Sequence, residues 1–351
     1  MHKFNYSFLS DGLLPASLVN LVSDIHALGN VTHIRKERNE NAFLELEASA
    51  KILSIKGSNE IEGIVTTDKR IIEIVTKNSS PLNQGEAEIA GYRDALNLIH
   101  NEYENLNFSQ DNILHFHKIL MSLIQDKECG QYKTQDNVVA EIDINGNYSV
   151  RFRPVPFKET PFAMEQLELA YLDAISNYKI NKLLLIPCVI LDFLCIHPFL
   201  DGNGRISRLL SLLLLYKNCF DVGKYISFEN QINKYKDLYY DALKISSANW
   251  HTNQNNYFPF IQNFLTSLFV CYKELDSRFE KASTKRISKQ ERIKESIFES
   301  IVPISKKELS LMHPDVSVTT IESILSKMLK EGLIEKIGSA RNIKYIKVNI
   351  K

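Results

Sequence analysis

The residues best suited to chemistry lie together in one run, His197-Pro198-Phe199-Leu200-Asp201-Gly202-Asn203-Gly204-Arg205-Ile206-Ser207-Arg208. Apolar runs flank it at 183–196 and 209–216, and both are apolar enough on all sides to be helices of a core. An imidazole, a carboxylate, an amide and two guanidiniums contribute nothing to packing between two buried helices. The run therefore predicts a functional site.

The second half of the run has the features of a phosphate site. Gly202, Asn203 and Gly204 open the second helix, where free backbone N–H groups and the positive end of the helix dipole bind anions. Arg205 and Arg208 are three residues apart, so both should lie on one face of that helix. Two guanidinium groups beside an anion nest indicate a polyphosphate rather than a single phosphate.

The first half supplies groups that can take part in a reaction. Asp201 precedes the nest, where a single carboxylate commonly holds Mg²⁺ together with substrate phosphates. His197 ends the first helix, and an imidazole can accept a proton from an attacking hydroxyl near neutral pH. Together these groups predict a phosphoryl- or nucleotidyl-transfer site. The alternative is a structural turn between two core helices, with a core histidine and solvated arginines.

The run resembles the Fic family pattern His-x-Phe-x-(Asp/Glu)-Gly-Asn-Gly-Arg-x-x-Arg at every fixed position. Fic proteins are mostly AMP transferases, which move AMP from Mg-ATP to a Ser, Thr or Tyr hydroxyl of a target protein. The resemblance implies ATP and Mg²⁺ as ligands. It implies that His197 is the base and Asp201 the Mg²⁺ ligand, while Gly202, Asn203 and Gly204 bind the α- and β-phosphates.

The same resemblance assigns roles to the two arginines and to a glutamate far upstream. Arg205 resembles the phosphate-binding arginine, and Arg208 the arginine that orients the γ-phosphate. Ser58, Glu62 and Gly63 fit the Ser/Thr-x-x-x-Glu-Gly/Asn motif of a Fic sub-class, in which the glutamate pairs with the second arginine. Taken alone, this segment reads as a helix end with a surface carboxylate. Beside the Fic motif, it implies that Glu62 inhibits the enzyme by binding Arg208.

A β-hairpin is predicted at Val138–Phe152, because Asn145-Gly146 separates two short runs typical of strands. The family places a flap here, which holds the target peptide by strand addition. Upstream, Gly130-Gln131-Tyr132-Lys133 resembles the family's Gly-x-Tyr-Arg, with Lys in place of Arg. A Tyr pair of the family contributes to the adenine pocket, which makes Tyr240 either a nucleotide contact or a core tyrosine.

The predicted fold is mainly α: a Fic-type helical core with a small β-hairpin flap, followed by a C-terminal winged helix-turn-helix domain. The predicted divisions are an N-terminal helical region at 1–105, the catalytic core at 106–275, a linker at 276–290 and the winged helix at 291–351. Residues 281–351 carry 15 Lys and Arg against 8 Asp and Glu, a net charge of +7. A basic winged helix binds DNA or serves as a protein-contact module.

Composition narrows the class. The 351 residues contain 42 Lys and Arg and 42 Asp and Glu, so the whole chain has no bulk attraction to nucleic acid or anionic membranes. Five cysteines without a C-x-x-C motif indicate reduced thiols in a cytoplasmic protein. We expect no signal peptide and no membrane span, since no apolar run approaches about 20 residues.

Three functions are compatible with these observations. The first is a protein adenylyltransferase inhibited by Glu62, with self-modification and a homodimer as family-level expectations. The second is an enzyme that removes AMP from proteins or transfers another phosphate-containing group. The third is a transcription regulator that binds DNA through its C-terminal domain and uses the Fic core as a nucleotide sensor. An intact base, carboxylate and anion nest favour an enzyme.

Overall fold

The computed structural model describes residues 2–124, 128–142, 148–284, 289–300, 303–313, 316–338 and 343–348. The chain forms two compact units, Met1–Asp276 and Ser277–Lys351. It is mainly helical with two small antiparallel sheets, which agrees with the predicted class. The finer division at 105 and 106 stays a prediction.

The elements from the N-terminus to residue 284 are the helices α1 Phe8–Asp11, α2 Ala16–Arg38, α3 Glu40–Ile61, α4 Asp68–Lys77, α5 Gln84–Glu102, α6 Gln110–Met121, α7 Thr160–Ser176, α8 Lys182–Ile196, α9 Asn203–Lys217, α10 Phe228–Lys234, α11 Lys236–Ser247 and α12 Phe258–Thr284, and the strands β1 Val139–Ile142 and β2 Tyr148–Phe152. Short 3₁₀ turns lie at Asp221–Lys224 and Trp250–Thr252.

Helices α8 and α9 form the centre of the first unit, as their apolar sequences predict. Every residue from Leu183 to Ile196 is buried, and so is every residue of α9 from Arg205 to Tyr216. Helices α3, α5, α6, α7 and α11 pack against this pair. Since both helices are buried on all sides, the loop between them has a fixed position, and its polar residues are held by a rigid support.

Helix α3 is anchored against α10 just before its end. A Cβ atom on Gly57 would lie 2.9 Å from the Cα atom of Asn230, so only glycine allows this close approach. The predicted helix end is confirmed: Gly63 has a φ of +77°, and the Ile64 N–H donates to the Asn59 carbonyl in a Schellman arrangement. The C-terminal end of α3 is therefore held in place by packing and by its cap.

The two predicted flap strands are confirmed as the antiparallel pair β1–β2. The register shifts within the pair, because Val139 pairs with Phe152 whereas Ala140 pairs with Val150. Arg151 is therefore the extra residue of a β-bulge. The predicted turn at Ile144-Asn145-Gly146 lies outside the described residues.

Two helix boundaries differ from the predictions. The stretch 232–246, which the sequence predicts to be one helix, is divided between α10 and α11, with Tyr235 between them in a non-helical conformation. The stretch 276–290, expected to be a linker, is helical as far as Thr284. Charged and polar residues are compatible with a solvent-exposed helix as well as with a linker, so composition did not distinguish the two.

The second unit contains α13 Lys289–Glu299, β3 Ile304–Ser305, α14 Lys306–Met312, α15 Val318–Lys330, β4 Ile334–Ile337 and β5 Lys344–Lys347. The three strands form one sheet in the order β3-β5-β4 around a core that includes Ile293, Leu309, Ile321 and Leu325. The sequence of this unit predicts three helices followed by two strands, and all five are present, while the two-residue β3 was missed. The winged-helix class stays a prediction.

Candidate active site

His197 occupies a special backbone position directly after α8. Its φ of +51° lies in the left-handed region, and its N–H donates to the Phe193 carbonyl at 2.9 Å. The ring Nδ1 lies 3.2 Å from the Leu194 carbonyl oxygen, which can only accept, so Nδ1 carries the proton and Nε2 keeps a lone pair. Burial lowers the pKa of His197 to about 4. The imidazole is therefore a neutral base at pH 7.

The loop after His197 is held by Asn203 and His117. The Asn203 side chain accepts from the Phe199 N–H at 3.0 Å and donates to the Phe199 carbonyl at 2.7 Å. The buried Phe199 ring stacks on His117 at 3.8 Å, and His117 Nε2 bonds the Asp201 carbonyl at 3.2 Å. Asn203 is 2% exposed and its two side-chain bonds go to the loop, so its role in this conformation is to hold the loop.

Lys133 also supports this loop, and its position explains the Gly-x-Tyr-Lys segment. Its backbone N–H donates to the Pro198 carbonyl at 2.9 Å. Its buried ammonium donates to Asn137 Oδ1 at 2.8 Å and to the Ile196 carbonyl at 3.4 Å. Burial lowers the pKa of Lys133 to about 8. The lysine thus bridges the residues on both sides of His197.

The C-terminal end of α3 contacts the Arg208 side chain. The guanidinium donates from Nε to Ser58 Oγ at 2.8 Å, and from one terminal nitrogen to the Ser58 carbonyl at 2.9 Å and Glu62 Oε1 at 2.7 Å. Arg208 is 2% exposed and the Glu62 side chain is 32% exposed. Burial disfavours the charge of Arg208, but Glu62, Tyr92 and Tyr239 together outweigh this effect and raise the pKa of Arg208.

Glu62 also lies against the first turn of α9. A Cβ atom on Gly204 would lie 2.1 Å from Glu62 Oε1, so a side chain at this position would displace the carboxylate. The negative charge of Glu62 therefore sits at the positive end of a 15-residue helix and beside Arg208. This is where an anionic ligand of the predicted nest would bind.

Arg205 points to a different environment. Its guanidinium donates to Glu88 Oε2 at 2.6 Å and to Asp201 Oδ2 at 3.1 Å, and the side chain is 1% exposed. Sequence reasoning missed Glu88, which carries no motif. The two arginines expected to serve one ligand thus have separate partners, because a spacing of three residues still separates side chains around the helix.

A cleft of about 600 Å³ lies between the flap, the C-terminal end of α8, the start of α9 and the length of α11. Of the predicted site residues it is lined by Glu62, His197, Gly204, Arg208 and Tyr240. Ser58, Asp201, Gly202, Asn203 and Arg205, all of them described, do not line it. The cleft wall also includes Tyr239 of the predicted Tyr pair, residues of the predicted flap, and residues that no motif indicated; among these are Val139, Ser149, Arg151 and Phe152 of the flap, and Cys195, Asp237, Leu243 and Ser247.

Asp201 is the candidate metal ligand. Its side chain is 66% exposed, with Oδ1 accepting from the Gly202 N–H at 2.6 Å and Oδ2 facing Arg205. Among the described residues, no group of three or more His, Cys, Asp or Glu side chains is arranged to hold a metal ion. An exposed single carboxylate fits Mg²⁺, which takes one or two protein carboxylates and fills its other positions with phosphate and water.

Comparison with known proteins agrees with this geometry. Residues 107–215 match the sequence model of the Fic/DOC family. No curated protein matches the chain. Within the described part of the chain, no helix has both the length and the apolar character needed to cross a bilayer.

Solved structures of similar fold are Fic proteins. A Fic family protein from Desulfovibrio desulfuricans G20 is 19% identical, with a TM-score of 0.61, 97% of this chain covered and 98% of that one. A Fic domain containing signaling protein from Bacteroides thetaiotaomicron VPI-5482 is 19% identical (TM-score 0.59, 74% and 94% covered). Fic-1 from C. elegans is 16% identical (TM-score 0.59, 76% and 73% covered). The chain therefore has a Fic-type fold.

Proposed function

We propose that this chain is a Fic-type protein adenylyltransferase that moves AMP from Mg-ATP to a Ser, Thr or Tyr hydroxyl of a target protein, and that Glu62 inhibits it. The observation that carries the proposal is the pairing of Glu62 with Arg208 across Gly204, in the cleft that also contains His197. A base and an anion site in one cleft are what transfer of a phosphate-containing group to a hydroxyl requires.

In the proposed reaction His197 Nε2 accepts the proton of the target hydroxyl. The hydroxyl oxygen forms a bond to the α-phosphorus of ATP, the bond from that phosphorus to the bridging oxygen breaks, and pyrophosphate leaves. The hydrogen bond from Nδ1 to the Leu194 carbonyl orients the imidazole for this step. A neutral base at pH 7 is supported by the lowered pKa of His197.

The proposed phosphate site combines the first turn of α9 with Arg208. The backbone N–H groups of Asn203 and Gly204, and that of Gly202 once it leaves Asp201 Oδ1, would bind the α- and β-phosphates, and Asp201 would hold Mg²⁺. Bound Mg²⁺ would neutralise charge on the phosphates. Arg205 supports this site indirectly in the observed conformation, by holding Asp201 Oδ2 at 3.1 Å.

Glu62 inhibits in this proposal by occupying the place of a phosphate. Its carboxylate binds Arg208 and lies against Gly204, so a γ-phosphate and Glu62 compete for the same cation. ATP is then held without the Arg208 contact that would turn its α-phosphorus toward the hydroxyl. Because α3 is anchored by Gly57 against α10, release requires movement of the Glu62 side chain rather than departure of the helix.

The flap is the proposed docking site for the target. It is a two-stranded sheet, so each described strand has one edge without a strand partner. Val138, Ala140, Ser149 and Val150 are exposed, and Val139 and Ser149 line the cleft. A target strand added to one edge would be held by backbone hydrogen bonds, with its hydroxyl directed toward His197.

The test compares wild type, Glu62→Gly and His197→Ala, each incubated with α-labelled ATP and Mg²⁺. We expect labelled protein, by self-modification or on an added target, to increase at least tenfold in Glu62→Gly and to be absent in His197→Ala. Arg153→Ala, a change of an exposed arginine just after β2 and outside the flap strands, is the control. If Glu62→Gly shows no label and no gain over wild type, the proposal fails for ATP, and removal of AMP or use of another nucleotide replaces it.

A second candidate function concerns the C-terminal unit, which we propose binds duplex DNA. A cleft of about 790 Å³ in this unit is lined by Lys306, Lys307, Lys336 and Lys344. Of these, Lys306 is paired with Glu322 at 2.7 Å. Lysine side chains clustered along one cleft can bind the phosphate groups of a DNA backbone.

The DNA proposal is tested by fluorescence anisotropy with the full chain and a labelled duplex of about 20 base pairs. We expect binding that weakens steeply with salt and a loss of about tenfold in the double variant Lys307→Glu, Lys336→Glu. Lys330→Glu, at the end of α15 and outside the cleft lining, is the matched control. Binding that is absent at low salt, or equal in both variants, contradicts it.

A further inference from the structure

Arg151 is directed into the active-site cleft by a break in the strand pattern. Successive side chains of a regular strand point to opposite faces, yet Arg151 and its neighbour Phe152 both line the cleft. The bulge explains this, since Val139 pairs with Phe152 and Ala140 with Val150. Bulges commonly re-aim a side chain beside an active site. Phe152 is held in turn by stacking on His251 at 5.4 Å.

The guanidinium of Arg151 is only partly satisfied within the protein. Its central carbon lies 5.8 Å from the centre of the Tyr240 ring, a cation–π contact. Its Nε is buried and has no hydrogen-bond partner. No described residue forms an ion pair with it. A buried donor without a partner is costly, so the arrangement is suited to an acceptor that arrives with a ligand.

The charges around the cleft indicate that the ligand of Arg151 is an anion. Arg208 is neutralised by Glu62, and Arg205 by Glu88, so these two cations offer little to an incoming anion in the observed conformation. Arg151 faces the same cleft, and although Glu62 and Asp237 also line it, neither forms an ion pair with Arg151. A guanidinium presents two parallel N–H groups that match phosphate oxygens.

We propose that Arg151 binds the phosphate groups of the nucleotide, and that it does so most strongly while Glu62 holds Arg208. This inference rests on the proposed function, because it takes the cleft as the nucleotide site. Arg151 would attach the phosphates to the flap when Arg208 is occupied. Once Glu62 moves away, Arg208 shares the phosphate charge and the contribution of Arg151 decreases.

The experiment measures ADP and adenosine binding by isothermal titration calorimetry. Arg151→Ala should weaken ADP binding roughly tenfold, about the effect of one charge-assisted hydrogen bond, and leave adenosine binding unchanged. In the Glu62→Gly background the loss should be at least twofold smaller. Arg153→Ala, the same change on an exposed side chain two residues further along the chain and just after β2, should leave both ligands unaffected.

Thermal unfolding midpoints confirm that the variants are folded. If Arg151→Ala binds ADP as tightly as wild type, or loses adenosine and ADP by the same factor, the phosphate role is overturned. If ADP binding is unchanged but labelling of a target protein falls, Arg151 recognises the target instead, and the proposed transfer stands. If ADP binding depends on Arg151 but no variant transfers AMP, the phosphate site stands and the adenylyltransferase proposal fails.

Discussion

Both arginines of α9 form an ion pair with a glutamate from another part of the chain. The two pairs have the same chemistry, but their surroundings differ. Glu62 binds Arg208 at 2.7 Å and Glu88 binds Arg205 at 2.6 Å, and both arginines are at most 2% exposed. The glutamates differ: the Glu62 side chain is 32% exposed, in a cleft, whereas that of Glu88 is 11% exposed. The first pair is accessible to a competing anion and the second is enclosed.

The difference in exposure follows from the position of each glutamate relative to its helix. Glu62 is the C-cap residue that follows α3, next to a left-handed glycine, and its side chain is partly exposed to solvent. Glu88 lies in the first turns of α5, within a run in which every residue from Glu86 to Arg93 is buried. An ion pair at a helix end beside a cleft can open without unfolding, while one between packed helices cannot. We infer that Glu88–Arg205 is structural and Glu62–Arg208 is regulatory.

The largest effect is expected on the free energy of unfolding when the enclosed pair is broken. Glu88→Gln leaves the Arg205 charge buried without its closest partner, and removing one member of a buried pair typically costs about 3–5 kcal/mol of unfolding free energy. Glu62→Gln should cost about 1 kcal/mol or less, because its carboxylate is part-exposed. Urea denaturation monitored by circular dichroism measures both. Equal losses in the two variants would contradict the distinction.

The next effect is on the titration of His197. Its pKa is lowered by burial to about 4, so the imidazole is neutral above pH 5 and gains a proton only as the pH falls through about 4. The Glu62 charge raises that pKa. NMR titration should therefore give a lower midpoint in Glu62→Gln and an unchanged one in Glu88→Gln. A wild-type midpoint near the ordinary 6.5 would show that the ring is solvated.

A smaller effect, on the rate of AMP transfer, is expected when the accessible pair is weakened and its carboxylate is kept. Ser58→Ala removes the hydroxyl that accepts from Arg208 Nε at 2.8 Å. Loosening Arg208 by about 1 kcal/mol should raise AMP transfer roughly fivefold, less than Glu62→Gly does. Ser54→Ala, on the same helix but bonded to Ser227, is the matched control for labelling with α-labelled ATP. Equal rates in the two serine variants would exclude this role.

The smallest effect concerns Lys133, a third buried cation near the loop, which bonds an amide and a carbonyl rather than a carboxylate. Its pKa of about 8 means that it loses its charge as the pH rises through 8. In the Glu62→Gly background, Lys133→Arg should match the parent at pH 7 and stay active at pH 9, where the parent declines. Rate profiles against pH test this, with Lys158→Arg as the surface control. Parallel profiles would contradict it.

Much of the fold followed from local sequence patterns. Thr67 and Ser109 begin helices as capping residues, and Gly63 ends α3, because caps depend on neighbouring residues only. The all-apolar runs predicted α8 and α9 as buried helices. The divided helix at Tyr235 and the helical continuation to Thr284 were not predicted, since neither stretch contains a proline or glycine that separates helix from linker.

By itself the sequence determined that a histidine, a carboxylate, two glycines and two arginines occur within twelve residues, in the loop between two core helices and at the start of the second helix. Its resemblance to a family, rather than any spacing, implied that Glu62 meets Arg208 across 146 residues of chain. Only the tertiary structure decided that Arg205 belongs to Glu88, that Lys133 holds the His197 loop and that a bulge turns Arg151 into the cleft. The physical reason is that helix and strand periodicity are local, whereas the partner of a buried charge is chosen by how distant elements pack.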